Sequence, residues 1–425
     1  MAALGFDLVP IDAGTSVDEA RTVVREWLDA NIPATWHDAV RSGGGVEALR
    51  RVRSRGDYEM WYPTLARAGL VAAPWPREYG GLGIPPRLAR EVEDVMAPYN
   101  LGRLNILGLN LAGPPLLEFG TDAQKAELLP ASVLNEYRWC QLFSEPGAGS
   151  DLASLSTVAV ADADGGSWRV DGQKVWTTWA ADATHGLLLA RTDTSVPKRR
   201  GITYFVVEMN QPGVTVRPLV QISGEADFFE TFLDSARVWD RHRIGDAGDG
   251  WRVAQATLAG ERQMISGPGS GGVDRMFGRS VGRLVEWVAA DAARRGAAVP
   301  PALRQRVAAL YSHDRCLEWT NKRARDNRRA SRPGPEASIG KLLQAEHNMA
   351  VQETWADAVG ARVFAHSPDD EEARRVAYGF LRSRANTIEG GTSEVHRNVL
   401  GERILGLPRE PDPWADVAWR DVPRT

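Results

Sequence analysis

Behind Ser16, apolar residues recur at Val17, Ala20, Val24, Trp27 and Leu28, the spacing of one helix face, and Pro33 follows the run. Ser16 and Glu19 have the spacing of a capping box. The same period continues from Gly56 to Ala68 and from Pro86 to Met96, and Thr121 or Asp122 caps a short helix reaching Leu129. Near Arg138 the pattern changes. Residues 138–240 carry short apolar runs, at Trp168–Val170, Gly186–Ala190, Ile202–Val207 and Val214–Val216. Turn signals separate them: Asp164-Gly165-Gly166, Asp171-Gly172 and Gln211-Pro212-Gly213. That alternation predicts an all-β unit. From Asp249 the period is helical again, with Trp251, Ala254, Leu258 and Ile265 on one face. Long helical stretches follow over Val273–Ala293, Ala302–Arg325 and Ile339–Val363, with a last one after Asp370. Gly267–Gly272 and Arg332–Pro335 read as breaks. Long helices with short links suggest a bundle. The expected fold is α+β and multidomain: an N-terminal α-helical domain over 1–137, a central β domain over 138–245 and a C-terminal helical bundle over 246–425.

Composition narrows the classes. A chain of 425 residues with 43% apolar and 25% charged residues has the make-up of a globular protein with a sizeable core. The net charge of -4 gives no general pull toward nucleic acid or acidic lipid. No apolar run reaches the ~18 residues a membrane span needs. Met1–Pro10 does not read as a secretory signal, which makes the cytoplasm the expected location. Cys140 and Cys316 are too few for a disulfide framework or a cysteine-rich metal site.

The order helix, strand, helix fits many functions, so the motifs decide. In the run Cys140-Gln141-Leu142-Phe143-Ser144-Glu145-Pro146-Gly147-Ala148-Gly149-Ser150-Asp151, the glycines let backbone N–H groups converge on an anion or a carbonyl. Ser144 and Ser150 add hydroxyl donors. A Gly-rich turn in isolation is more often a plain strand-to-loop turn. A strand Trp such as Trp176 is more often core, and a helix Glu such as Glu261 more often a solvated carboxylate.

Together with its neighbours, however, this run resembles the strongest signature of the acyl-CoA dehydrogenase family. Trp75-Pro76-Arg77-Glu78-Tyr79-Gly80-Gly81-Leu82-Gly83 resembles the signature of that family's N-terminal helical domain. Gly172-Gln173-Lys174-Val175-Trp176-Thr177-Thr178 is similar to its flavin-contacting strand. Gly250-Trp251 through Glu261-Arg262 resembles the helix that opens its C-terminal domain. Glu389-Gly390-Gly391-Thr392-Ser393-Glu394 resembles its C-terminal signature. The resemblance runs from about Val17 to Pro408 and implies a β-barrel-like central domain with a four-helix bundle behind it.

The resemblance implies an FAD enzyme. A carboxylate base would remove the α proton of an acyl-CoA thioester, flavin N5 would take the β hydride, and the trans-2-enoyl-CoA would form. One branch of the family carries its base directly before the Gly-Thr of the C-terminal motif; here Gly390 stands there. The isovaleryl- and long-chain-type branch carries it directly before an Arg on the first C-terminal helix, which here is Glu261 before Arg262. Glu261 is therefore the expected catalytic base, with Glu389 one residue off the other position. By resemblance Phe143, Ser144, Trp176, Thr178, Thr392 and Glu394 contact FAD, with Thr178 bonding N5. Ser150, Arg262 and the Gly390 N–H contact the substrate.

Departures point to partners. The family's Arg-x-x-Phe-Gly run, which grips a neighbouring subunit's FAD, is replaced by Ala293-Arg294-Arg295-Gly296-Ala297. Its Gly-Gly-x-Gly run is reduced to Val359-Gly360-Ala361. Trp179 and Phe229 are bulky where relatives carry smaller or polar residues. The expectation is a homo-oligomer, dimer or tetramer, with a heteromeric assembly as the alternative, passing electrons to an electron-transfer flavoprotein. A flavin monooxygenase or oxidase on the same scaffold, and a non-catalytic partner subunit, are the competing readings.

Overall fold

The computed structural model describes residues 5–266, 280–329, 334, 336–365 and 367–423. Among the described residues seven α-helices precede the sheet: α1 (Val17–Asn31), α2 (Ala34–Arg41), α3 (Gly45–Val52), α4 (Arg55–Arg67), α5 (Pro86–Met96), α6 (Gly113–Phe119) and α7 (Asp122–Val133). Ser16 Oγ accepts from Glu19 N at 3.2 Å and starts α1 without the reciprocal bond of a full capping box. Thr121 and Gln124 do form that box, and it starts α7. α2 and α3, which the periodicity did not reveal, are short and lack side-chain caps. The buried faces of α1 to α5 share one apolar core that includes Val24, Leu28, Trp36, Tyr62 and Val92. A π-helical turn, Gly108–Ala112, leads into α6.

Eight strands follow: β1 (Trp139–Leu142), β2 (Val158–Ala161), β3 (Ser167–Thr178), β4 (His185–Arg191), β5 (Ile202–Glu208), β6 (Val214–Leu219), β7 (Phe228–Trp239) and β8 (Arg243–Ile244). They form one sheet in the order β6-β7-β3-β2-β4-β5-β8, with β1 paired to β4. β1 runs parallel to β4, and β2 meets β4 in parallel at Val158 and Arg191; the other pairs are antiparallel. Cys140, Leu142, Val170, Leu188, Phe205, Leu233 and Val238 share one apolar cluster although their strands are spread across the sheet. The sheet therefore curls around a single core.

The C-terminal helices are α8 (Gly250–Ser266), α9 (Ser280–Arg295), α10 (Pro301–Arg329), α11 (Glu336–Val359), α12 (Glu371–Ser383) and α13 (Ser393–Val399). Leu284, Leu310, Val351, Trp355 and Val376 bind α9 to α12 into one core. The sequence breaks at 267–272, and all of 332–335 but Gly334, lie outside the described residues, as do 273–279. Among the described residues no helix is long and apolar enough to cross a membrane.

Candidate active site

α8 enters the molecule where helical and β units meet, and its register is held at three points. At its start, a Cβ on Gly250 would lie 2.5 Å from the backbone of Thr203, so only Gly lets the helix leave β5 this closely. In its middle, Tyr204 Oη and Thr257 Oγ1 are 2.9 Å apart and buried. Near its end, a Cβ on Gly260 would lie 2.0 Å from the carbonyl oxygen of Asn110, in the π-helical turn. Helix-interior Gly costs about 1 kcal/mol relative to Ala; here it permits backbone contact. The next residue is Glu261. It is half-buried, and Gln141 Nε2 on β1 donates to its Oε2 at 3.2 Å. The carboxylate expected to be the base is thus tied to the strand that opens the first motif. The side chain of Arg262 lies outside the described residues.

The first motif and the flavin-type strand are joined by a pair of charges. Lys174 Nζ on β3 lies 2.8 Å from Glu145 Oε1 and 3.1 Å from the Phe143 carbonyl. Both side chains are shielded from solvent. Glu145 also accepts from Ser156 N at 2.7 Å and Thr157 N at 2.9 Å. Burial opposes its ionisation, but the Lys174 ammonium and these donors outweigh it and hold the carboxyl down at about 2. The backbone closes the same junction: Val175 N donates to Ser144 O at 2.9 Å.

Beyond Lys174 the β3–β7 register shifts, and Trp176 takes φ +60°. The bulge turns its ring outward, 55% exposed, edge-on to Phe228 at 5.8 Å. Trp179, at φ +55°, is 47% exposed. Thr178 pairs with Phe228 at the strand end. Trp176 and Trp179 are thus two large apolar side chains held outward in left-handed backbone. Gly147 and Gly149 have open space where a Cβ would sit, so the loop backbone is free to approach a ligand. Phe229 instead packs into the β core, and Phe143 is buried edge-on to Tyr204 at 5.9 Å. Ser150 is exposed at the loop tip.

The C-terminal motif is a second cluster. Arg382 Nη2 donates to Glu389 Oε2 at 2.9 Å and Asn386 Nδ2 to Glu389 Oε1 at 2.8 Å. Lys341 Nζ and Asn348 Nδ2 in turn hold Asn386 from α11. Glu389 is thus occupied as a structural carboxylate. Gly390 and Gly391 follow at φ +65° and +95°. The Gly390 carbonyl faces His396 Nε2 at 3.2 Å, while its N–H donates to no backbone carbonyl among the described residues. Thr392 caps α13, and Glu394 is exposed beside Arg397. Both line a cavity of about 440 Å³ between α11 and α13. The β6–β7 loop lies between the two motifs: Tyr378 Oη on α12 meets Glu225, and Trp179 N donates to Asp227 O at 3.3 Å. A cavity of about 460 Å³ between α1 and α5 contains none of them.

Family models for the acyl-CoA dehydrogenase N-terminal, middle and C-terminal domains match residues 17–136, 140–232 and 248–405. The chain belongs to the acyl-CoA dehydrogenase family. It is 38% identical over 400 residues to the acyl-CoA dehydrogenase IpdE1 of Mycobacterium tuberculosis, covering 93% of this chain and 98% of that protein. Among solved structures it superposes on the Tcur3481-Tcur3483 steroid ACAD with a TM-score of 0.69 at 26% identity, over 94% of this chain and 100% of that one. It matches the ChsE4-ChsE5 complex from Mycobacterium tuberculosis with a TM-score of 0.68, at 26% identity over 94% of this chain and 100% of that one. Acyl-CoA dehydrogenases are FAD-dependent oxidoreductases of lipid metabolism, and the outward Trp176 and open glycine loop suit that cofactor. The contact of Gln141 with Glu261, the Glu145–Lys174 pair and the Asn386 network were not singled out from sequence. One signal was present: Lys174 falls on the same strand phase as the fully buried Val170, and a cation there requires a buried partner.

Proposed function

We propose that the chain catalyses α,β-dehydrogenation of an acyl-CoA thioester with Glu261 as the base. The observation that carries this reading is the contrast between its two candidate carboxylates. Glu261 sits on a helix locked at Gly250, Thr257 and Gly260 and meets Gln141. Glu389 is taken up by Arg382 and Asn386. Glu261 removes the α proton, Gln141 orients its carboxylate, and the Gly390 N–H supports the developing negative charge on the thioester oxygen. FAD, when bound, accepts the β hydride. Trp176, Thr178 and Ser144 hold its ring system, and Ser150 and Arg262 bind the CoA moiety. Units of 1–137, 138–245 and 246–425 belong to the same reading.

By the family resemblance a second subunit completes each site, and the altered runs Ala293–Ala297 and Val359–Ala361 bear on which chain that is. We place that contact on the C-terminal bundle, with either a second copy or a homologous chain as partner. Trp319 on α10, 64% exposed, and Leu343 on α11, 43% exposed, are apolar side chains that the bundle leaves to solvent. An electron-transfer flavoprotein is the proposed acceptor and the cytoplasm the proposed location. The steroid class named for a structural neighbour makes steroid-derived acyl-CoA thioesters the first substrates to test.

The test is a screen of acyl-CoA thioesters, straight-chain, branched and steroid-derived, against a dye acceptor with the purified flavoprotein. Turnover with enoyl-CoA as product supports the reading. Rapid oxygen consumption without enoyl-CoA contradicts it and favours a monooxygenase or oxidase.

A further inference from the structure

The chain beyond the last family match, which ends at residue 405, returns to the β domain. Ala418 bridges Pro197, Trp419 N donates to Val196 O at 2.9 Å, and Arg420 N donates to Thr194 O at 3.1 Å. The tail thereby adds backbone pairing to the loop between β4 and β5. Under this contact lies Arg191, 1% exposed, with its guanidinium 4.3 Å from the centre of the Trp419 ring. Arg191 Nη2 donates to Ala153 O at 2.7 Å and Leu155 O at 3.0 Å, and Nη1 to Lys198 O at 2.9 Å. One cation therefore ties the β4–β5 loop to the short turn Leu152–Ser154 directly after the first motif. Lys198 makes the same link from outside, 2.8 Å from Asp151.

We propose that the C-terminal tail is a strap and Trp419 a positioning residue. Its ring shields Arg191 from water, the shielded guanidinium holds the 153–155 carbonyls, and that turn sets Ser150 and Asp151 at the edge where the CoA moiety binds. A guanidinium covered by an indole makes stronger bonds to carbonyls than one competing with water. Leu152, Ala153 and Leu155 are packed in the apolar core, and the guanidinium adds the hold on the carbonyls of Ala153 and Leu155. The proposal rests on Ser150 as a CoA contact.

The test compares the full-length flavoprotein with Trp419→Ala, Trp419→Phe and a chain ending after Glu410. For Trp419→Ala and the truncation, KM for acyl-CoA should rise about threefold to tenfold with kcat nearly unchanged, the mark of lost ground-state binding. Amide exchange should quicken at residues 151–156, and Trp419→Phe should restore most of both. Unchanged KM and unchanged exchange at 151–156 would overturn the proposal. So would a loss of stability spread over the whole chain without a local effect. If the wild-type protein oxidises no acyl-CoA, the functional reading fails by itself, and exchange at 151–156 still decides whether the strap exists.

Discussion

Lys174 and Glu145 form an ion pair 2.8 Å long, enclosed between the first motif and the strand that carries Trp176 and Thr178. Charges this shielded are worth little against apolar replacements but cost a great deal when one partner is lost. Lys174→Met should destabilise the protein by about 3–5 kcal/mol and release FAD, since Glu145 is left charged without its cation. The double change Lys174→Met/Glu145→Gln should recover most of the loss. Chemical denaturation and flavin content of the purified variants check both.

A pH effect follows from His185. Burial, with a smaller contribution from the charge of His242, pushes its imidazole down to about 4. Thr184 Oγ1 bonds its Nδ1 at 2.9 Å, and the Tyr137 ring centre lies 4.0 Å away. The unfolded chain, with a His pKa near ~6.5, binds a proton that the folded chain refuses. Stability is full above pH ~6.5 and falls as pH drops toward ~4, by up to about 3 kcal/mol. Denaturation midpoints across that window should show the slope, and His185→Gln should flatten it.

Gly260→Ala tests how closely α8 approaches the N-terminal unit. The added Cβ would meet Asn110 O at 2.0 Å, against backbone that cannot rotate away. The expected cost is about 1–3 kcal/mol, with turnover reduced through the displaced Glu261. Unchanged melting and turnover would show that the contact is slack.

Trp176 holds a left-handed backbone that non-glycine residues pay for by about 1–2 kcal/mol. Trp176→Gly should therefore be more stable than Trp176→Ala by about 1 kcal/mol. Both should bind FAD more weakly than the wild type, as read by flavin fluorescence on dilution. Equal stability of the two variants would mean that the bulge relaxes when the ring is removed.

The fold was legible where local pattern and burial agree. α5 spans Pro86–Met96 because Leu88, Ala89, Val92 and Met96 recur on one buried face behind a starting proline. β7 was not legible, because its buried positions change phase: Thr231 and Leu233 face inward, and after Ser235 at φ +51° so do Ala236 and Val238. A bulge shifts the two-residue period and conceals the strand. The motif residues were legible as chemistry, but their support was not. Gln141 meeting Glu261, and Trp419 over Arg191, join positions far apart in the chain, which no local spacing encodes.

The central claim is that Glu261 takes the α proton, and single-turnover reduction of the enzyme flavin by a good acyl-CoA substrate tests it most directly. Glu261→Gln keeps the size and the contact with Gln141 but cannot accept the proton. It should retain FAD and bind substrate while flavin reduction slows by about 10²–10⁴-fold or more. Glu389→Gln, which loses only part of its hold on Arg382, should reduce the flavin within about tenfold of the wild-type rate, as expected of a residue outside the chemistry. A Glu261→Gln enzyme that reduces its flavin at the wild-type rate, while Glu389→Gln does not, would contradict the assignment.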